Sequence, residues 1–133
     1  AGLDGSYDVP LVLYSPSVQP KADTSRWVQH LDLAPGISDL VGSNSFYENK
    51  LGNGWRANSP GYPIVFQDQK YHLFHPDGNL SWTALNPVEG WLWQAVSNRP
   101  EPPGLRKILM SRVQYYRQGL VHNTLFQKAA SRQ

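Results

Sequence analysis

The sequence predicts an α+β fold with a small β-hairpin or sheet core, short helices, and long extended N- and C-terminal arms. Two runs of aromatic and β-branched residues, 62–66 and 71–74, have the composition of strands. Short apolar stripes with a helical period lie on both sides of these runs. Eleven glycines and eleven prolines among 133 residues interrupt the chain more often than a compact domain requires, which indicates a small core.

The first 23 residues are predicted to form an extended arm. Pro10, Pro16 and Pro20 each fix φ and remove an amide donor, and each pushes the preceding residue toward extended geometry. At most one strand is expected in this arm, at residues 11–14. The sequence is then divided into a helix–hairpin–helix core domain over 24–103 and a basic C-terminal arm over 104–133.

A short helix is predicted over residues 24–33. Thr24 or Ser25 can supply the N-cap oxygen that accepts a backbone hydrogen bond. Apolar residues then recur on one face, and Pro35 with Gly36 is expected to end the helix.

Residues 46–79 have a β-like pattern. Residues 46–47 are a short strand candidate, and the Gly-Asn-Gly at 52–54 is turn chemistry. The two aromatic runs named above are expected to pair as a hairpin through residues 67–70. The Pro-Asp-Gly-Asn at 76–79 is a strong turn signal after the hairpin.

The strongest helix signal covers residues 87–97. Asn86 is the predicted N-cap, Pro87 occupies the first helical position, and Glu89 completes a capping-box pattern. The apolar residues of this segment follow a helical stripe, and Trp93 falls outside it. An exposed tryptophan on a short helix is expected to need a second surface to cover it.

Residues 105–118 are predicted to form a further helix, with an extended basic arm as the alternative. Residues 104–133 carry six of the twelve basic side chains and none of the ten acidic ones. Such a segment can contact an acidic protein surface, anionic lipid or nucleic acid, or can be a solvated face. Nucleic acid is not the expected partner, because the remaining chain is net acidic and the total charge is only +2.

The sequence predicts no catalytic, metal or cofactor site. His72 and His75 fall on opposite faces of a strand, and neither a cysteine nor a nearby carboxylate pair could complete a zinc site. No G-x-S-x-G nucleophile motif occurs, and residues 52–54 lack the third glycine of a dinucleotide loop. The longest apolar runs are far too short to cross a bilayer, so no transmembrane segment is expected.

Two clusters carry the most specific information in the chain. They are aromatic, bounded by proline and poor in nucleophiles, and such residues pack or dock. The first is Leu40-Val41-Gly42 running into Phe46-Tyr47-Glu48-Asn49-Lys50, and the second is Trp91-Leu92-Trp93 followed by Arg99-Pro100-Glu101-Pro102-Pro103.

In this order, with the hairpin and Asp77-Gly78 between them, the clusters resemble the family of the mitochondrial complex I accessory subunit called alpha-subcomplex subunit twelve. Its paralogue mimitin is a complex I assembly factor. The resemblance covers residues 40–103. The family has a helical W-L-H where this chain has Trp91-Leu92-Trp93, so a tryptophan replaces the histidine.

The resemblance implies a non-catalytic accessory subunit of NADH:ubiquinone oxidoreductase (complex I) that holds no cofactor. It would be peripheral to the mitochondrial inner membrane on the matrix side, against the iron–sulfur and quinone-module subunits of the matrix arm. A chain that begins at Ala1 and lacks cysteine is compatible with an imported matrix protein. One alternative is a mimitin-like assembly factor. The other is a small module that binds sugars or single-stranded nucleic acid on an aromatic platform of Trp55, Trp82 and Trp93.

The expected partner contacts are mostly aromatic and arginine side chains, which dominate interface energetics when they are desolvated. Extended arms also need a partner, because ordering each residue costs about 1–2 kcal/mol. The predicted contact residues are Tyr47, Glu48, Trp55, Trp93, Arg99, Arg106, Arg112 and Arg117.

Overall fold

A computed structural model describes residues 10–17, 19–23, 27–42 and 62–122, and over these residues it shows two helices and one four-stranded antiparallel sheet. The strands are neighbours in chain order, so the sheet is a simple meander. The predicted α+β class with a small sheet is confirmed. In chain order the elements are α1 His30–Val41, β1 Ile64–Gln67, β2 Lys70–His75, β3 Gly78–Trp82, β4 Trp91–Ala95 and α2 Leu105–His122.

The predicted hairpin is confirmed as β1 and β2. Its register pairs Ile64 with Leu73 and Gln67 with Lys70. The two residues of the turn, Asp68 and Gln69, have φ values of 50° and 62°. Two successive left-handed residues are what a two-residue hairpin needs to match the twist of its strands.

Strand β3 was not predicted from the sequence. The turn predicted at 76–79 is shorter in the structure, and β3 begins at Gly78 directly after Pro76 and Asp77. Every residue of β3 is buried. Leu80 and Trp82 alternate with the small polar residues Asn79 and Ser81, so the period of two was present in the sequence, although Asn and Ser are poor strand formers.

The hydrophobic core lies between α2 and one face of the sheet, here called the inner face. Leu73 of β2 is paired with Leu80 of β3, and both are fully buried. Leu105 and Leu109 of α2 join them in the same cluster. The helix that was one of two alternatives for residues 105–118 is therefore confirmed. The predicted division at 103/104 stays a prediction, although α2 supplies part of the core that the sheet needs.

The helix predicted over residues 87–97 is wrong, because Trp91–Ala95 is strand β4. Its capping signal does operate locally: the Glu89 amide donates to Asn86 Oδ1 at 3.2 Å, and the Gly90 amide donates to the Asn86 carbonyl at 2.7 Å. The chain then leaves the turn at Gly90. In β4 the tryptophans at 91 and 93 both face the core, which a period of two permits and a helix does not.

The helix predicted over residues 24–33 also has the wrong limits. The observed helix α1 begins at His30 and runs through Pro35 to Val41. Its start is fixed by the Asp32 carboxylate, which accepts a hydrogen bond from the Gln29 amide at 3.0 Å. Its end is fixed by Gly42, which adopts a left-handed φ of 65°. Capping at both ends therefore outweighs the hydrogen bond that Pro35 removes.

The remaining predicted elements give two further outcomes. Residues 11–14 are described and form no strand. The strand candidate at 46–47 and the turn at 52–54 lie outside the described residues.

Candidate docking site

Trp93 and Arg99 lie together at the end of β4, and both form hydrogen bonds to other residues of this chain. The Trp93 indole N–H donates to the Arg99 carbonyl at 3.0 Å. The Arg99 guanidinium donates to the Asp77 carboxylate at 2.8 Å. These bonds tie the segment after β4 to the turn between β2 and β3. Trp93 is half-buried on the inner face, so it is not the exposed helical side chain that the sequence predicted.

Arg106, in the first turn of α2, is held by Glu101. Its guanidinium donates three hydrogen bonds, at 2.9, 3.2 and 2.8 Å, to the two carboxylate oxygens, and it lies 5.2 Å from the ring centre of Trp91. The hydrogen bonds to Glu101 raise the pKa of Arg106. Because the ion pair is at the surface, it contributes little to stability. The hydrogen bonds to Glu101 use donors of Arg106 that a partner protein would otherwise be able to bind.

Arg112 anchors α2 to the start of the sheet. It donates a hydrogen bond of 2.7 Å to the carbonyl of Tyr62, just before β1. Burial lowers the pKa of the Arg112 guanidinium, and the nearby Asp32 carboxylate acts in the opposite direction. Arg112 is therefore a structural residue in this fold.

Arg117 is the remaining described residue of the predicted contact set. It is exposed on α2 and makes no hydrogen bond or ion pair in the part of the chain that the structure describes. Tyr47, Glu48 and Trp55 lie outside the described residues. The structure thus brings Trp93 and Arg99 together, while Arg106, Arg112 and Arg117 lie along α2.

The histidines do not form a metal site in the described part of the chain, where no cluster of three or more His, Cys, Asp or Glu side chains occurs. The His75 ring stacks on Tyr62 with ring centres 5.4 Å apart. Its Nδ1 accepts a hydrogen bond from the Asp77 amide at 3.0 Å. His72 lies on the opposite face of β2, as the alternation predicted. Within the same residues, neither helix is long and apolar enough to cross a membrane.

The three-tryptophan platform is not formed as predicted. Trp82 is only 5% exposed and packs between Tyr71 and Trp91. Its indole N–H donates to the Pro87 carbonyl at 3.2 Å. A sugar or base could not stack on this ring without opening the core.

Strand β4, the loop before it and the residue after it expose four large aliphatic side chains. Leu85 and Val88 of the loop are 77% and 82% exposed, and Leu92 and Val96 are 50% and 52% exposed. No charged residue occurs from Gly90 to Asn98. We call these four side chains the β4 surface. They were not among the predicted contacts, although the uncharged run from 90 to 98 was a signal in the sequence.

The sheet face opposite α2, here called the outer face, contains an unsatisfied amide. Asn79 lies in β3 between Phe74 and Gln94 of the neighbouring strands. It is 6% exposed, and neither atom of its side-chain amide has a hydrogen-bond partner in the described part of the chain. A buried amide without partners costs stability.

We predict that Asn79→Leu stabilises the protein by about 1–2 kcal/mol, because it replaces the unsatisfied amide with an apolar group of the same branched shape. Urea denaturation followed by tryptophan fluorescence would measure the change. Gln94→Leu, at the exposed position directly opposite, is the matched control and should change stability by less than about 0.5 kcal/mol. A less stable Asn79→Leu variant would contradict the prediction.

Comparison of the chain with family models, curated proteins and solved structures finds no match in any of the three. The family resemblance of residues 40–103 therefore stays a prediction.

Proposed function

We propose that this protein is a non-catalytic docking subunit that works by binding a larger protein assembly. The observation that carries the proposal is the β4 surface, where four aliphatic side chains are at least 50% exposed beside a strand without charge. Single exposed apolar residues are ordinary, whereas contiguous apolar patches mark protein-binding surfaces, and we take the four side chains at 85, 88, 92 and 96 as such a patch. Depletion of charge is also what distinguishes the buried centre of an interface from other surface.

The proposed host is the matrix arm of complex I, with the protein as a peripheral accessory subunit on the matrix side of the inner membrane. The support is the sequence resemblance. The hairpin lies between the two clusters, and Asp77-Gly78 lies where β2 turns into β3. Leu40 and Val41 are the last residues of α1, whereas the family motif follows its helix. Trp91-Leu92-Trp93 departs from the family, because it is a strand here. A mimitin-like assembly factor remains the alternative within the same host.

The test is affinity purification of the full chain from mitochondria under native conditions, followed by mass spectrometry of complex I subunits. The chain is expected to recover iron–sulfur and quinone-module subunits, and Leu92→Lys is expected to reduce their yield by about tenfold or more, because a charge buried in an apolar interface is costly. Recovery of mature complex indicates an accessory subunit, and recovery of immature intermediates indicates an assembly factor.

Leu120→Lys is the matched control, because Leu120 is an aliphatic residue on α2 with 57% exposure. It should leave the yield unchanged. The proposed host is wrong if the wild-type chain recovers no complex I subunit. The β4 surface is not the docking surface if Leu92→Lys and Leu120→Lys behave alike.

A further inference from the structure

In the part of the chain that the structure describes, the outer edge of β4 carries unpaired backbone groups. In an antiparallel pair, alternate residues exchange hydrogen bonds with the neighbouring strand, and the residues between them point their N–H and C=O groups outward. The Thr83 amide donates to the Gly90 carbonyl, and the Val96 amide donates to the Asp77 carbonyl. Even-numbered residues of β4 therefore face β3, and Trp91, Trp93 and Ala95 present their backbone groups to the open side.

These outward groups have no partner among the described residues. The opposite edge of the sheet differs. By the same alternation Ile64 and Phe66 of β1 face outward, and the Ile64 amide already donates to the side-chain oxygen of Gln29 at 3.3 Å. Arg112 covers the Tyr62 carbonyl just before β1. The edge at β4 is thus the longer open edge.

Strand β4 also lacks the features by which proteins protect an edge strand, namely charged side chains, proline and bulges. Its pairing with β3 is continuous from Trp91 to Ala95, and no charge or proline occurs between Gly90 and Asn98. The available length is limited at both ends. The Gly90 amide is used in the turn to Asn86, and Ser97 and Asn98 have left-handed φ values.

We propose that β4 binds an extended, uncharged segment of about five residues from the host protein as a fifth strand of the sheet. This inference rests on the proposed docking function and specifies how the docking takes place. The three outward residues supply up to three donors and three acceptors for the added strand. Because the edge has no charged side chain, the added strand is uncharged as well. It places aliphatic side chains beside the half-exposed Leu92 on the outer face.

No segment among residues 10–17, 19–23, 27–42 and 62–122 pairs with this edge. Residues 11–14 have strand-forming side chains but are 46–89% exposed and form no strand. The 12 residues between Tyr14 and Trp27 could extend by about 40 Å, so reach does not prevent pairing in the same molecule. Because no described segment occupies the edge, we assign it to a strand from a partner.

Amide hydrogen exchange of the full chain tests the proposal without any assumption about the host. The probe is a capped, neutral heptapeptide of alternating valine and threonine. It is expected to slow the exchange of the Trp91, Trp93 and Ala95 amides by about fivefold or more at millimolar concentration. The amides of Val12 and Leu13, which lie outside the sheet, serve as internal references and should not change. The same peptide with a central proline should protect nothing.

Two variants extend the test to the host complex. Ala95→Pro removes one outward donor, and Ala95→Lys places a charge on the edge. Both should abolish protection by the peptide and recovery of the host. Ala34→Lys, at an exposed position of α1, should affect neither. Circular dichroism establishes that each variant is folded, and Ala95→Lys decides the question if the proline variant is not.

The outcomes separate the two proposals. If the peptide protects no outward amide, strand addition is wrong, even if complex I is recovered and Leu92→Lys disrupts it. If the peptide protects these amides but no complex I subunit is recovered, strand addition stands and the proposed host is wrong. If the free chain is a dimer with its outward amides already protected, a second copy fills the edge and the proposal is overturned.

Discussion

Replacing Leu109 with alanine is expected to destabilise the protein by about 3–4 kcal/mol, because it leaves a cavity at the centre of the core. Leu109 is fully buried and lies in one cluster with Leu73 and Leu80 of the sheet. The stability of a small domain is about 5–15 kcal/mol in total, so this loss is a large fraction of it. Guanidinium denaturation followed by circular dichroism would measure the change.

Leu120→Ala provides the control on the same helix. Leu120 is 57% exposed, so the same truncation should cost about 0.5 kcal/mol or less. Near-equal effects of the two substitutions would mean that α2 does not pack on the sheet in solution. Residues 105–122 would then be a separate arm, as the alternative reading of the sequence held.

Gly78→Val is expected to be the second most damaging substitution, with a cost of about 3 kcal/mol from overpacking. A Cβ at Gly78 would lie 2.4 Å from the backbone oxygen of Gln94 and 2.6 Å from Cζ2 of the Trp93 indole. Real Cβ atoms do not approach other atoms so closely. Either β3 must separate from β4 or the Trp93 ring must leave its place on the inner face.

The thermal midpoint and the near-ultraviolet circular dichroism of the tryptophans would report both consequences. Ala95→Val is the matched control, because Ala95 is the residue paired with Gly78 and is exposed. A valine there suits a strand and should leave the midpoint unchanged. A Gly78→Val variant as stable as the wild type would contradict the close packing of Trp93 over this glycine.

The hairpin and α2 could be predicted because their signals are local. Two strands joined by a two-residue turn form contacts near in sequence, and turn residues with positive φ decide the register. Helix α2 has an apolar stripe that contains Leu105, Leu109 and Val113, and these are its buried aliphatic residues. Neither element depends on a distant segment for its identity.

Strand β4 could not be predicted in this way, because its sequence satisfies two periods. The capping residues Asn86 and Glu89 favour a helix, and they do form one turn. The alternation of Trp91 and Trp93 favours a strand. Pairing with β3 selects the strand, because β3 pairs with five residues of β4. The core then packs against both indoles.

The predicted contact residues show the same limit. Arginine and tryptophan are frequent in interfaces, but they are equally able to satisfy groups within their own fold. Trp93, Arg99 and Arg112 all bond to backbone carbonyls or carboxylates of this chain. Sequence composition cannot distinguish an internal acceptor from one on a partner, and the apolar residues that do face solvent became visible only in the structure.

The sequence by itself determined the α+β class, the hairpin and the lack of charge from residue 90 to 98, because each follows from local side-chain chemistry. For residues 105–118 it left a helix and an extended basic arm as alternatives. The tertiary structure alone decided that Trp91–Ala95 is a strand and that, among the described residues, its outer edge has no partner strand. The physical reason is that a strand obtains its hydrogen bonds from a neighbour, so its existence and its free edge depend on residues far away in the chain.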